Sequence, residues 1–136
     1  MPGPPRPSTD LIRVVIVDAD DRTRESLGGL LEISGRIEIV GSAGRTDRAV
    51  ELVAATRPDV VVVDPRLAGP DDGMVLIARL RARWPDLGIL AIGPSGSLES
   101  EARARGGDGY ARKTYRPAEL VAAIDSVRAR PAGRSG

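Results

Sequence analysis

The residues best placed to do chemistry are Asp18, Asp64 and Lys113, each ending a segment that reads as a β-strand. Asp18 follows Ile12 to Val17, Asp64 follows the four valines Val60 to Val63, and Lys113 closes the segment Gly107 to Lys113. Lys113 is also the single lysine among 20 basic residues, the rest being arginine. In a parallel sheet, ligands bind beyond the carboxyl ends of the strands, where the winding direction switches. Two carboxylates and an ammonium meeting there suit phosphoryl transfer to a carboxylate. One Asp can be the nucleophile, oxygen ligands can hold magnesium, and the ammonium can neutralise phosphoryl oxygens. A strand-end Asp taken alone is, in about half of cases, only the cap of the next helix. The signal lies in the three residues together.

Composition removes competing chemistries. With no Cys and no His, the chain cannot host a Ser-His-Asp or Cys-His nucleophile, a zinc site of the usual ligands, or a disulfide. Any metal must be held by oxygen, which favours a hard cation such as magnesium or calcium. No Phe, one Trp and two Tyr leave little for a platform of stacked bases. A net charge of +1 points to no polyanionic partner. No 18-residue apolar stretch occurs, and MPGPPRPSTD has no apolar signal core. Neither a membrane span nor an export signal is expected, and the expected compartment is the cytoplasm.

The 136 residues fit one domain with one core. Residues 1–10 read as a flexible N-terminal tail, 11–130 as the domain, and 131–136 as a C-terminal tail or the start of a linker. Strands are expected at Ile12 to Val17, Ile37 to Gly41, Val60 to Val63, Leu87 to Ile92 and Gly107 to Lys113. Between them, helical stripes run through Leu27, Leu30, Leu31 and Ser34, then through Ala49, Leu52, Val53 and Thr56. Gly35 and Arg57-Pro58 stop these two helices. Gly69 to Gly73 reads as a turn before the stripe Met74, Ile77, Leu80 and Trp84, which Pro85 closes. A shorter polar helix reaches about Arg105, and Leu120, Ile124 and Val127 mark the last. Five alternating βα units imply a three-layer α/β sandwich with a parallel sheet and right-handed crossovers.

Three stretches resemble the receiver domain of bacterial response regulators, of the NarL/LuxR type. They are VVIVDADDRTRESLGGLLE, RPDVVVVDPRLAGPDDG and GGDGYARKTYRPAEL, and the resemblance covers residues 12–130. It implies a flavodoxin-like (βα)5 fold with strand order 2-1-3-4-5 and a non-enzymatic part in two-component phosphorelay signalling. Residue by residue, Asp64 corresponds to the phosphoacceptor, Asp18 to a metal-site acid and Lys113 to the phosphate-contacting lysine. The backbone carbonyl of Arg66 corresponds to a further metal ligand, and Tyr110 to the aromatic switch. The implied partners are a sensor histidine kinase, a second copy of the chain, and DNA only through an output domain not present in this chain. No membrane partner is implied.

Two positions depart from the family pattern. The second acid of the pair after the first strand is Ala19, which removes the usual direct magnesium ligand. The Thr or Ser at the end of the fourth strand is Gly93, which removes the hydroxyl that contacts the phosphoryl group. Magnesium binding is therefore expected to be weak or absent, because even outer partners of a metal are worth roughly 10 to 100-fold in affinity. Gly93 also leaves space for Tyr110 to lie inward without activation. Asp20, Asp21, Ser95 and Ser97 are the nearby candidates to substitute for the lost groups.

Three functional readings follow. The first is a phosphorylated receiver of impaired chemistry. The second is a phosphorylation-independent pseudo-receiver, serving as an interaction, dimerisation or ligand-binding module. The third, a hydrolase passing through an aspartyl-phosphate, lacks a cap domain or an extra acid to position water. GSAGRTD at 41–47 lacks the glycine spacing of a dinucleotide loop. RLRARW at 79–84 and the pair Arg103 and Arg105 read as solvated helix faces. Val121, Ala122 and Val127 on the last helix are the expected contacts of a two-fold dimer.

Overall fold

A computed structural model describes residues 11–67, 72–113 and 116–128. The expected tails at 1–10 and 131–136 lie outside the described residues. The elements are β1 (Ile12–Val17), α1 (Asp21–Ile33), β2 (Ile37–Ala43), α2 (Thr46–Thr56), β3 (Val60–Val63), α3 (Asp72–Arg83) and β4 (Gly88–Gly93). A 3-10 turn at Gly96–Leu98 leads into α4 (Glu99–Ala104), and β5 (Gly109–Arg112) and α5 (Pro117–Arg128) complete the order.

The strands form one parallel sheet in the order β2-β1-β3-β4-β5, the order the resemblance implies. Strict alternation along the central strands divides the core in two. Val15, Val17, Val61, Val63, Ile89 and Ala91 meet α2, α3 and α4 on one face. Ile12, Val14, Ile16, Val60, Val62, Leu90 and Ile92 meet α1 and α5 on the other. Runs apolar at every position are what a sheet buried on both faces requires.

Several boundaries move. β2 runs two residues beyond the expected Gly41, because Ser42 and Ala43 keep pairing with β1 after Val40 is left as an extra residue in the register. β5 is shorter than expected and begins at Gly109. The expected turn at Gly69 to Gly73 falls largely on 68–71, outside the described residues. Its last member, Gly73, is instead in the first turn of α3, buried against the end of β3. A β-carbon there would stand 2.2 Å from the carbonyl oxygen of Asp64, so only glycine allows the helix this close.

The expected dimer contacts need correction. Val121 and Val127 face the sheet with Leu120 and Ile124 and are buried in the core. Of the three residues only Ala122 is exposed. Residues 120, 121, 124 and 127 fall on one helical arc, so the apolar width of α5 is used in covering the sheet.

At the N-terminal ends of the strands, Arg81 of α3 works as a hub. Its guanidinium donates to the carbonyls of Gly106 (2.9 Å), Pro85 (2.7 Å) and Leu87 (2.8 Å), and to Asp108 Oδ2 (2.5 Å). The same Asp108 oxygen accepts the Ile89 N–H at 3.0 Å. One side chain thereby ties the end of α3 to the starts of β4 and β5.

Candidate functional site

Asp18, Asp64 and Lys113 meet at the C-terminal edge of the sheet, and the backbone brings them there. The N–H of each continues the parallel ladder one step past its strand: Asp18 to the Ala43 carbonyl (3.0 Å), Asp64 to Val17 (3.0 Å) and Lys113 to Gly93 (2.8 Å). Their side chains turn into a common crevice. Nζ of Lys113 donates to Oδ2 of Asp18 at 2.6 Å and to Oδ2 of Asp64 at 2.8 Å. The other oxygens accept backbone N–H groups, Asp18 Oδ1 from Asp20 and Asp64 Oδ1 from Arg66, both at 2.9 Å.

Both acids are nearly buried, at 4% and 7% exposure, so the ammonium between them is their main compensation. Burial alone would lower the Lys113 pKa, but the hydrogen bonds and charges of Asp18 and Asp64 outweigh it and hold the value above the ordinary 10.5. Lys113 therefore stays charged at neutral pH.

Ala19 is exposed and supplies no oxygen. Nor do the neighbouring polar residues substitute. Asp20 caps α1 by accepting the Arg22 N–H at 2.9 Å, which holds its carboxyl below the ordinary 3.8. Asp21 pairs with Arg24. Ser95 Oγ accepts the Ser97 N–H and lies 3.0 Å from Ser97 Oγ. Among the described residues no three acidic side chains cluster as a cation site. All four oxygens of Asp18 and Asp64 have donors, and an ammonium already bridges the two carboxylates. This donor set fits a divalent ion poorly.

Gly93 ends β4 on the face of the sheet where Tyr110 packs. A β-carbon built there would meet the Tyr110 hydroxyl at 2.3 Å. The Tyr110 phenol thus takes up the room that a Thr or Ser would need, and its hydroxyl donates to the carbonyl of Ser95. Burial raises the Tyr110 pKa above 10.0, and the Asp64 charge adds to the rise.

Three contributors lay beyond the expectations from sequence. Gly73 sets the distance of α3 from the Asp64–Pro65 backbone. Arg24 donates to the Asp18 carbonyl at 2.5 Å and pins the loop after β1. The Arg66 guanidinium, 54% exposed, stands with Nε 3.9 Å from Asp64 Oδ1. The Asp-Gly pair before a helical stripe was the available signal for Gly73, since glycine just inside a helix start asks for a packing reason. Two open grooves of about 450 and 470 Å³ lie elsewhere, one around Trp84 and Pro58 and one along α1 and β2, and neither is lined by the triad.

Comparison with known proteins identifies the family and the fold. The response regulator receiver domain family matches residues 14–125. The DNA-binding transcriptional activator DevR/DosR of Mycobacterium tuberculosis is 37% identical over 128 residues, which cover 92% of this chain and 57% of that protein. Response regulator MprA of Mycolicibacterium vanbaalenii is 33% identical over 121 residues, covering 85% and 50%. A two-component response regulator of the LuxR family from Aurantimonas sp. SI85-9A1 superposes with a TM-score of 0.80 at 30% identity, over 88% of this chain and 86% of that one. The chain spans about half the length of the curated relatives it matches. The family match spans most of the chain and the strand order agrees with it, and the chain belongs to the response regulator receiver domain family.

Proposed function

We propose that this is an atypical receiver, in which Asp64 is a potential phosphoacceptor served by poor phosphoryl-transfer machinery and weak or absent magnesium binding. One observation carries the reading: Lys113 bridges Asp18 and Asp64 where position 19 offers no third carboxylate. Phosphoryl transfer is mostly positioning and charge neutralisation. Asp64 keeps its nucleophilic oxygens and Lys113 its charge, while Ala19 and Gly93 remove one oxygen ligand and one hydroxyl. The proposed partners are a sensor histidine kinase upstream and a DNA-binding output downstream, in keeping with what the relatives are. The proposed setting is the cytoplasm, and the domain has no enzymatic output of its own. Among the described residues no helix is long and apolar enough to cross a membrane.

The test is incubation with a small-molecule phosphodonor and magnesium, read by intact mass. Little or no aspartyl-phosphate is expected from the native chain, and a higher yield from Ala19→Asp with Gly93→Thr. Stoichiometric labelling of the native chain that Asp64→Asn abolishes would show Ala19 to be harmless. The second reading, a phosphorylation-independent module, is favoured by the Tyr110 hydroxyl already standing against Gly93. It gains if neither version is labelled. Self-association belongs to both readings, and sedimentation showing a strict monomer at high concentration would remove it.

A further inference from the structure

We propose that the groove around Trp84 and Pro58, at the opposite end of the sheet from the Asp64 crevice, is a docking site for a polyproline II segment, and that its occupant is the chain's own residues 1–7. Prolines stand at positions 2, 4, 5 and 7 of that stretch. The proline ring fixes φ at about −65°, close to the polyproline II value.

The groove is the first argument. It measures about 450 Å³ and is built largely from the residues that lead into β3 and β4. Pro58 and Leu87 are buried, Trp84 is half-buried and Pro85 is exposed. Arg81 fixes the carbonyls of Pro85 (2.7 Å) and Leu87 (2.8 Å), so the domain itself sets the groove's shape. Aromatic-lined grooves take polyproline II segments, whose backbone carbonyls have no partner of their own. Trp84 offers both a ring and a donor. Arg83 stands 4.7 Å from the ring centroid and helps to hold the indole in place. The indole N–H has no hydrogen-bond partner among the described residues, and it can only donate.

The place where the chain enters the domain is the second. Asp59, on the groove, stitches three strand starts together. Its N–H donates to the Arg13 carbonyl (2.8 Å), its Oδ2 accepts the Arg13 N–H (2.8 Å), and its carbonyl accepts the Gly88 N–H (3.1 Å). β1, β3 and β4 therefore begin side by side, and two strand spacings put the entry of the chain roughly 10 Å from the start of β4. The four steps from Leu11 back to Pro7 span about 13 Å when extended, which brings the prolines to Trp84. Charge chooses between the two ends of the chain. Arg57 and Arg128 cancel Asp59 and Asp86 around the groove, so it suits a ligand with few charges. Residues 1–7 carry one charged side chain, Arg6, whereas residues 129–136 carry two, Arg130 and Arg134, and a single proline.

Trp84 is the only tryptophan, so its indole N–H resonance and its emission read the groove directly. The full chain is compared with a variant carrying Pro4→Ser, Pro5→Ser and Pro7→Ser, which removes the polyproline II bias and leaves residues 11–128 unaltered. In the variant the indole resonance should shift and the emission should move to longer wavelength. A peptide of residues 1–10 added to the variant should restore the native resonance saturably and should change the native chain much less. Its dissociation constant should be on the order of millimolar or below, since a short tether supplies an effective concentration of about that size. An unaltered Trp84 in the triple variant, or no response to the peptide, would overturn the proposal. So would a native signal that changes on dilution, which makes the occupant a second copy. A signal lost in Pro131→Ser but kept in the triple variant would also overturn it, by assigning the groove to residues 129–136.

Discussion

Replacing Lys113 with methionine isolates what the bridging ammonium contributes. The variant keeps the length and apolar stem of the side chain and leaves Asp18 and Asp64, 4% and 7% exposed, without their shared cation. Both carboxylate oxygens now within 2.8 Å of Nζ would face each other directly. At a separation of about 5 Å and an effective dielectric of 20, their repulsion is roughly 3 kcal/mol. Breaking a buried pair by removing one partner typically costs about 3–5 kcal/mol. Each carboxylate keeps one backbone N–H, so the expected loss at pH 7 is the lower figure, about 3 kcal/mol. Urea unfolding followed by fluorescence of Trp84, the only tryptophan, measures it. Adding Asp64→Asn to the methionine variant should restore much of the loss by removing one of the opposed charges. A loss below about 1 kcal/mol, within the range of an exposed ion pair, or no recovery in the double variant, would refute the view that the ammonium compensates two nearly buried acids.

Three further outcomes are expected. The Lys113 pKa is raised in the folded chain, so its contribution is fully present below the ordinary lysine value of 10.5 and is lost as pH rises through the higher folded value. Stability measured from pH 9 upward should therefore fall more steeply in the native chain than in Lys113→Met, and parallel curves would contradict the linkage. Gly73→Ala forces a β-carbon to within 2.2 Å of the Asp64 carbonyl oxygen and should destabilise by about 1–3 kcal/mol or more; an unchanged urea midpoint would show that α3 shifts freely. Gly93→Ala should expel the Tyr110 ring and return its phenol from above 10.0 toward the ordinary value, read by ultraviolet titration, and an unaltered titration would mean that the ring never occupied that space.

The sheet was legible because its central strands are almost wholly apolar, and β1 and β3 are each followed by an aspartate. Val60 to Val63 has the same limits from sequence and from structure, and so does Ile12 to Val17. The three corners of the site were legible for the same reason, since a strand-end residue has its place fixed by the ladder. What sequence could not give was the approach of one element to another. Gly73 reads as part of a turn until the Asp64 carbonyl is known to lie where its side chain would be. Val121 and Val127 read as surplus apolar residues until α5 is seen to cover β3, β4 and β5 with a wide face. The Arg66 side chain gave no periodic signal, being one arginine among 19.

The Arg81 hub bears on how any signal could travel. With the starts of β4 and β5 fastened to the end of α3 through four acceptors, these strands are clamped at one end, like reeds. Displacement of the clamped end is suppressed, while the far end, where Gly93 and Lys113 stand, lies about 20 Å away along the six residues of β4. A small tilt at the clamp gives its largest displacement at that end, where Lys113 ties β5 to Asp18 and Asp64. Cutting the clamp with Arg81→Ala would spread that motion over the whole length of the strands and blunt any response localised at the crevice.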